Sequence, residues 1–178
     1  MEWVWAVLGM AVAVTLLLWL SWTANRLDRM HHRIDVARAS LDTHLLRRSG
    51  AALELATSGT LDPARSLLLV DAASEARAAE DDFESAESDL SEALRAVFAD
   101  ADEVHALRQD DAVGPLLTEL AADCRKVELA RRFHNDVVVS ARALRSRRRV
   151  RWLRLAGHAA PLETVDLDDV PPSTLVAG

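Results

Sequence analysis

The chain holds a single cysteine, one lysine and no tyrosine. One thiol, Cys124, excludes an intrachain disulfide and any CxxC-type zinc site, and a lone cysteine suits a reducing compartment. Glycine and proline are sparse, at 6 and 5 residues, and no glycine-rich phosphate loop is present. There is no GxSxG, no HExxH and no Ser/His/Asp grouping with useful spacing, so neither an enzymatic reaction, a cofactor nor a small-molecule substrate is expected. Arginine supplies 20 of the 21 basic side chains, a compositional bias without functional content. What fills the 178 residues is Ala, Leu, Arg, Asp and Glu, the composition of long helices. That length suffices for one domain plus an anchor.

The anchor is legible first. Residues 3–22, WVWAVLGMAVAVTLLLWLSW, carry no charge, and about 20 such residues cross a hydrocarbon core of roughly 30 Å as a helix. Trp3, Trp5, Trp19 and Trp22 stand at its ends, where amphipathic rings prefer the interface. A cleaved signal peptide would be shorter and preceded by basic residues, whereas only Glu2 flanks this run. Arg26, Arg29, Arg33 and Arg38 follow it closely, so the positive-inside rule places the N-terminus outside and the body of the chain in the cytoplasm. The expectation is a single-pass cell-membrane protein in contact with lipid through residues 3–22.

Beyond the span, apolar spacing predicts helices. Leu27, Met30, Ile34, Ala37, Leu41 and Leu45 form a first stripe that fades at Gly59. Asp62-Pro63 supplies an N-cap and a first-turn proline for a second helix, expected to run from Pro63 to about Ala99. Its apolar side carries Ala76, Ala79, Phe83, Ala86, Leu90, Leu94 and Val97. A polar turn with a short helix inside it follows. A third long helix is expected from Pro115 to about Leu153, with Leu120, Cys124, Val127, Ala130, His134, Val137, Ala141 and Leu144 on its seam. The predicted fold is all-α, an N-terminal transmembrane helix continuing into a long antiparallel three- to four-helix bundle. Its divisions are an anchor over 1–23, a bundle over 24–155, and a disordered acidic tail over 156–178 that lacks periodicity.

Charge is uneven. From Asp62 to Glu103 there are 13 acidic and 3 basic residues; from Pro115 to Arg154, 4 acidic and 11 basic. An acidic helix between basic ones suits a self-complementary bundle, in which exposed pairs select register more than they stabilise. The basic end, Arg145, Arg147, Arg148, Arg149, Arg151 and Arg154, leaves three occupants open: the chain's own acidic tail, an acidic protein partner, or lipid. The net charge of −7 disfavours nucleic acid. Asp28-Arg-Met-His31 and Asp102-Glu-Val-His105 approach the Glu-x-x-His pattern of bundle metal sites, but the shorter Asp and their placement at segment ends argue against metal.

The stretch ARRFHNDVVV, residues 130–139, concentrates polar residues inside the third helix. VELARRFHNDVV resembles the pattern of LemA-family proteins through Val127, Ala130, Arg131, Phe133, Asn135, Asp136 and Val138, with His134 in place of the usual Tyr. IDVARASLDTHLLRR is similar to a second element of that family through Ile34, Asp35, Ala37, Leu41, Asp42, Leu45, Arg47 and Arg48. Arg38 stands where the family has Trp, and the family's Phe-Pro-x-Asn and Phe-Gly-Phe elements are replaced by SRRRVRWLRLAG. The resemblance covers roughly residues 1–155. It implies a membrane-anchored helical bundle and no reaction, with association to membrane metalloproteases or membrane-organelle assembly in some members.

Helical rise brings Asp42 of the first helix level with Arg131 of the third in an up-down-up arrangement. The expectation is a structural polar layer of Asp35, Asp42, Arg131, Asn135 and Asp136, anchored by packing of Phe133. Such a layer specifies register while contributing little net stability. Two functions follow as expectations. One is a non-enzymatic scaffold or interaction module that binds a protein partner or itself, and the other is an accessory or sensor subunit of a membrane enzyme such as a metalloprotease.

Overall fold

The computed structural model describes residues 2–145 and 163–176. All regular structure among them is helical: α1 (Glu2–Thr57), α2 (Pro63–Ala78), α3 (Phe83–Val97), α4 (Ala101–Arg108), α5 (Gly114–Arg145) and a single turn, α6 (Ser173–Val176). Two compact units result, one of Met1–Val36 with Asp136–Glu163 and one of Ala37–Asn135 with Thr164–Gly178.

In the first unit, the α1 window Glu2–Trp19 has a mean hydropathy of 1.8 and none of it is buried. By length and composition this helix can cross a membrane. Val138 and Ala141 of α5 are buried here, so the expected seam position Val137 yields to its neighbour.

The core of the second unit takes Leu90, Leu94, Leu120 and Cys124 from the stripes read in the sequence and adds residues outside them. Ala52 and Leu55 of α1, Leu69 and Ala73 of α2, Leu90 and Leu94 of α3, and Leu117, Leu120 and Cys124 of α5 share one apolar cluster with Phe98, Val104 and Leu175. Each fully buried Leu or Phe contributes about 1.5–3 kcal/mol relative to exposure. A second cluster joins Leu41 and Leu45 of α1 to Val127 and Ala130 of α5, with Val165 and Leu167 between them.

Local signals explain most boundaries. α1 ends before Gly59, whose φ of 79° is costly for residues with a Cβ. The Asp62 carboxylate accepts hydrogen bonds from the Ala64 and Arg65 N–H groups at 3.0 and 3.2 Å, and Pro63 opens α2. The expected unbroken helix from Pro63 to Ala99 is instead two. α2 closes with Ala79 in an extended conformation (ψ 124°), and α3 starts at Phe83. Glu80, Asp81 and Asp82 account for the break. Three successive carboxylates oppose the negative end of α2's dipole but suit the positive start of α3.

Gly114 opens α5 against the preceding helix: a Cβ there would lie 2.5 Å from the Arg108 carbonyl oxygen, a backbone atom. Gly114→Ala is therefore expected to lower stability by about 1–3 kcal/mol through overpacking, as measured by thermal melting in detergent.

Candidate functional site

The polar residues of ARRFHNDVVV face in several directions. Arg131 and Asn135 are four residues apart and so share one face of α5. Arg131 clasps Asp169 with two parallel hydrogen bonds, Nε to Oδ2 at 2.6 Å and a terminal nitrogen to Oδ1 at 2.9 Å. Asn135 donates to the Val165 carbonyl at 2.9 Å and accepts from the Val165 N–H at 2.9 Å, using both ends of its amide on one residue's backbone. The two side chains thus hold residues 163–176, the segment expected to be disordered.

That expectation is corrected for Glu163–Val176; residues 156–162 and 177–178 lie outside the described residues. Ahead of α6 the segment is non-helical, and over Val165–Val170 its side chains obey the two-residue period of an extended chain. Val165, Leu167 and Asp169 are buried, while Asp166, Asp168 and Val170 are exposed. Its other edge addresses α3. Ser88 Oγ accepts from Asp168 N–H at 3.0 Å and Glu84 accepts from Asp166 N–H at 2.9 Å. Arg95 donates to Asp168 at 2.6 Å and to the Val170 carbonyl at 2.9 Å. Further along, Thr174 donates to the Phe98 carbonyl, Arg108 to that of Leu175, and Arg125 to that of Val176 at 2.6 Å.

The expected polar layer does not form. Asp42 pairs with Arg38, one turn earlier on α1, at 3.0 Å, and Arg38 also lies over the Phe83 ring, 4.4 Å from its centroid. Asp35 and Asp136 are exposed. Phe133 is 59% exposed, so it anchors no packing within the fold, and the buried polar member of the motif is His134. The helical-rise estimate set heights along α1 and α5 but not azimuths, and a local i,i+4 partner took Asp42. Of the basic run, Arg145 is the last helical residue described, and Arg147, Arg148, Arg149, Arg151 and Arg154 lie outside the described residues.

A polar connection does join α1 to α3 elsewhere, at Arg48. This guanidinium is 1% exposed and donates to the Ser91 hydroxyl at 2.8 Å, to the Glu87 carbonyl at 3.0 Å and to the Glu87 carboxylate at 2.5 Å. Burial pushes the Glu87 carboxyl above its ordinary value, and the neighbouring Arg48 charge offsets only part of that. Cys124 lies near the same charge, yet burial drives its thiol up to about 11, so it stays protonated and packs as a small hydrophobe. Asp123, also buried, is paired with Lys126 at 2.7 Å.

Ion pairs that join elements include Arg48–Glu87, Arg65–Glu103, Arg95–Asp168 and Arg131–Asp169. The basic face of α5 thus meets the tail, where a pairing with the acidic second helix was expected. Asp71 and Glu75 of α2 and Asp89 and Glu92 of α3 instead line an open, exposed cleft over Ala72, Ala93 and Ala96. Among the described residues no three His, Cys, Asp or Glu side chains converge as a metal site.

The tail was missed because its apolar alternation spans only Val165 to Leu167, too short to separate from chance. The signal that pointed toward it is charge: the acidic tail is one of the occupants the Arg145–Arg154 run leaves open, although α5 meets it through Arg125 and Arg131. No protein-family profile, curated protein or solved structure matches the chain.

Proposed function

We propose that this chain is a membrane-anchored interaction module of LemA type, an antiparallel helical bundle on the cytoplasmic face that binds a protein partner and catalyses no reaction. One observation carries the reading. The apolar window Glu2–Trp19, none of it buried, and the core residues Leu41, Leu45, Ala52 and Leu55 belong to the same helix, α1. A helix that offers bare apolar surface at one end and packs a polar-faced unit at the other ties that unit to a bilayer. The arginines that follow the span favour the inward orientation. For the partner, the acidic α2–α3 cleft and the tail groove are the surfaces on offer.

The test is in-cell crosslinking of the tagged full chain in membrane fractions, followed by mass spectrometry. A discrete, reproducible partner that is lost when one of these surfaces is altered, by Glu75→Arg/Glu92→Arg at the cleft or by Arg131→Glu in the groove, with unchanged helical melting, is the expected result. Recovery of the protein only in the soluble fraction would sink the anchor, and capture of nothing reproducible would sink the interaction role.

A further inference from the structure

The mode of tail attachment separates it from an ordinary core element. No helix or strand ladder ties Val165–Val170 to the rest of the unit among the described residues. Asn135, Glu84, Ser88 and Arg95 side chains supply the bonds. Leaving the groove therefore breaks no ladder, and the backbone bonds of α1, α3 and α5 persist. Most of these contacts address the main chain. Asn135 reads only that residue 165 is extended, because any residue offers the same N–H and C=O pair.

Side-chain selectivity enters at few points. Val165 and Leu167 enter an apolar slot on Leu41, Leu45, Val127 and Ala130. The Arg131 fork fits a carboxylate in the planar two-bond geometry that arginine favours, and Arg95 takes a second carboxylate beside it. Main-chain bonds for affinity and alternate side-chain pockets for selectivity are how extended peptides are recognised generally. The pattern read is apolar-x-apolar-Asp-Asp.

We propose that this groove is a recognition site for extended acidic segments of a partner protein, and that the chain's own residues 165–170 occupy it until such a segment displaces them. The inference rests on the interaction-module reading but identifies the partner by chemistry. Two features of the occupant favour displacement. The Arg95–Asp168 pair is exposed at 33% and 40%, a regime in which ion pairs hold weakly. A tethered segment also competes only through its effective concentration, generically on the order of millimolar. If the tail's intrinsic Kd is about 10 µM, a free segment would then bind the intact chain about 100-fold more weakly than an emptied groove.

The experiment uses the full chain in detergent micelles and a fluorescein-labelled peptide of residues 164–176, TVDLDDVPPSTLV, with anisotropy as the readout. The variant Val165→Gly/Leu167→Gly/Asp169→Ala removes the tail's apolar and Asp169 holds on the groove without touching its walls. It is expected to bind the peptide at least 10-fold tighter than wild type, and adding Arg131→Glu is expected to remove that gain. A variant that keeps its helical circular dichroism yet binds no peptide would show the tail to be a fixed packing element and overturn the proposal. Should the variant lose its fold, the wild type decides the matter. Millimolar unlabelled peptide is expected to accelerate hydrogen exchange of the chain's own 164–176 amides at least 10-fold, and no acceleration overturns the proposal. Wild-type dimers formed by reciprocal tail exchange would assign the groove to a second copy, which also overturns it. Neither readout needs a membrane or a natural partner, so failure here is distinguishable from failure of the crosslinking test.

Discussion

Replacing Glu87 by Leu is expected to destabilise the helical unit by about 3–5 kcal/mol, whereas Arg48→Met/Glu87→Leu together should leave it within about 1 kcal/mol of wild type or raise its stability. The reason is the asymmetry of buried charge. Removing the carboxylate strands a guanidinium that is 1% exposed, with only the Ser91 hydroxyl and the Glu87 carbonyl left to accept from it. Removing both groups abolishes the desolvation cost together with the attraction. Even in the wild type that cost is incompletely offset, because Arg48 Nε finds no acceptor among the described residues.

Arg48→Met alone behaves differently with pH. The folded-state pKa of Glu87 is raised, chiefly by burial, so the fold binds its proton more tightly than the unfolded chain does. Stability from this group is then present below the unfolded value of about 4.5 and declines as pH rises through the folded value. Without Arg48 to offset burial, the decline steepens. Arg48→Met should be nearer wild type at pH 4.5 than at pH 7, while Glu87→Leu should show no such recovery. Thermal melts followed by circular dichroism at both pH values, arranged as a double-mutant cycle, measure the coupling. A coupling below about 0.5 kcal/mol would show that the pair does not act as a unit.

Arg131→Glu is expected to detach the tail while sparing the helices. The substitution removes both hydrogen bonds to Asp169 and sets a carboxylate against a buried carboxylate. Hydrogen-exchange protection of the Asp166 and Asp168 amides should fall at least 10-fold and cleavage within Glu163–Pro172 by a nonspecific protease should quicken, with little change in helical melting. Arg131→Lys keeps the charge but not the fork, and should fall between the two. Acid should loosen the same segment. Burial alone would raise the Asp168 pKa, but the Arg95 hydrogen bond, the Val170 N–H and the arginine charges together hold it below its ordinary value. A depressed carboxylate contributes stability above its unfolded value of about 3.8, and that contribution is lost as pH falls through the folded value. An Arg131→Glu chain whose tail stays as protected as wild type would remove Arg131 from the role assigned to it.

By itself the sequence determined the local features. Residues 3–22 announce a membrane-length apolar helix, and Gly59, Asp62 and Pro63 announce a stop and a start, because each signal is contained within a few neighbouring residues. The stripes through Leu41, Leu90 and Leu120 were equally legible, since a 3.6-residue period repeats often enough to exceed chance. The tertiary structure alone decided which polar residues meet. Asp42 had two candidate partners, a distant Arg131 and a neighbouring Arg38, and the neighbour won because an i,i+4 contact costs little extra ordering. Arg48 stood out in the sequence only as a motif position, and its partners Glu87 and Ser91 come to it from α3. Arg131 and Asn135 were recognised as a pair, but their ligand is a segment about 30 to 38 residues further along the chain. Periodicity records which face of an element is apolar. It carries no record of which distant strand of chain will lie across that face, because that depends on the summed free energy of contacts formed only after the helices have packed.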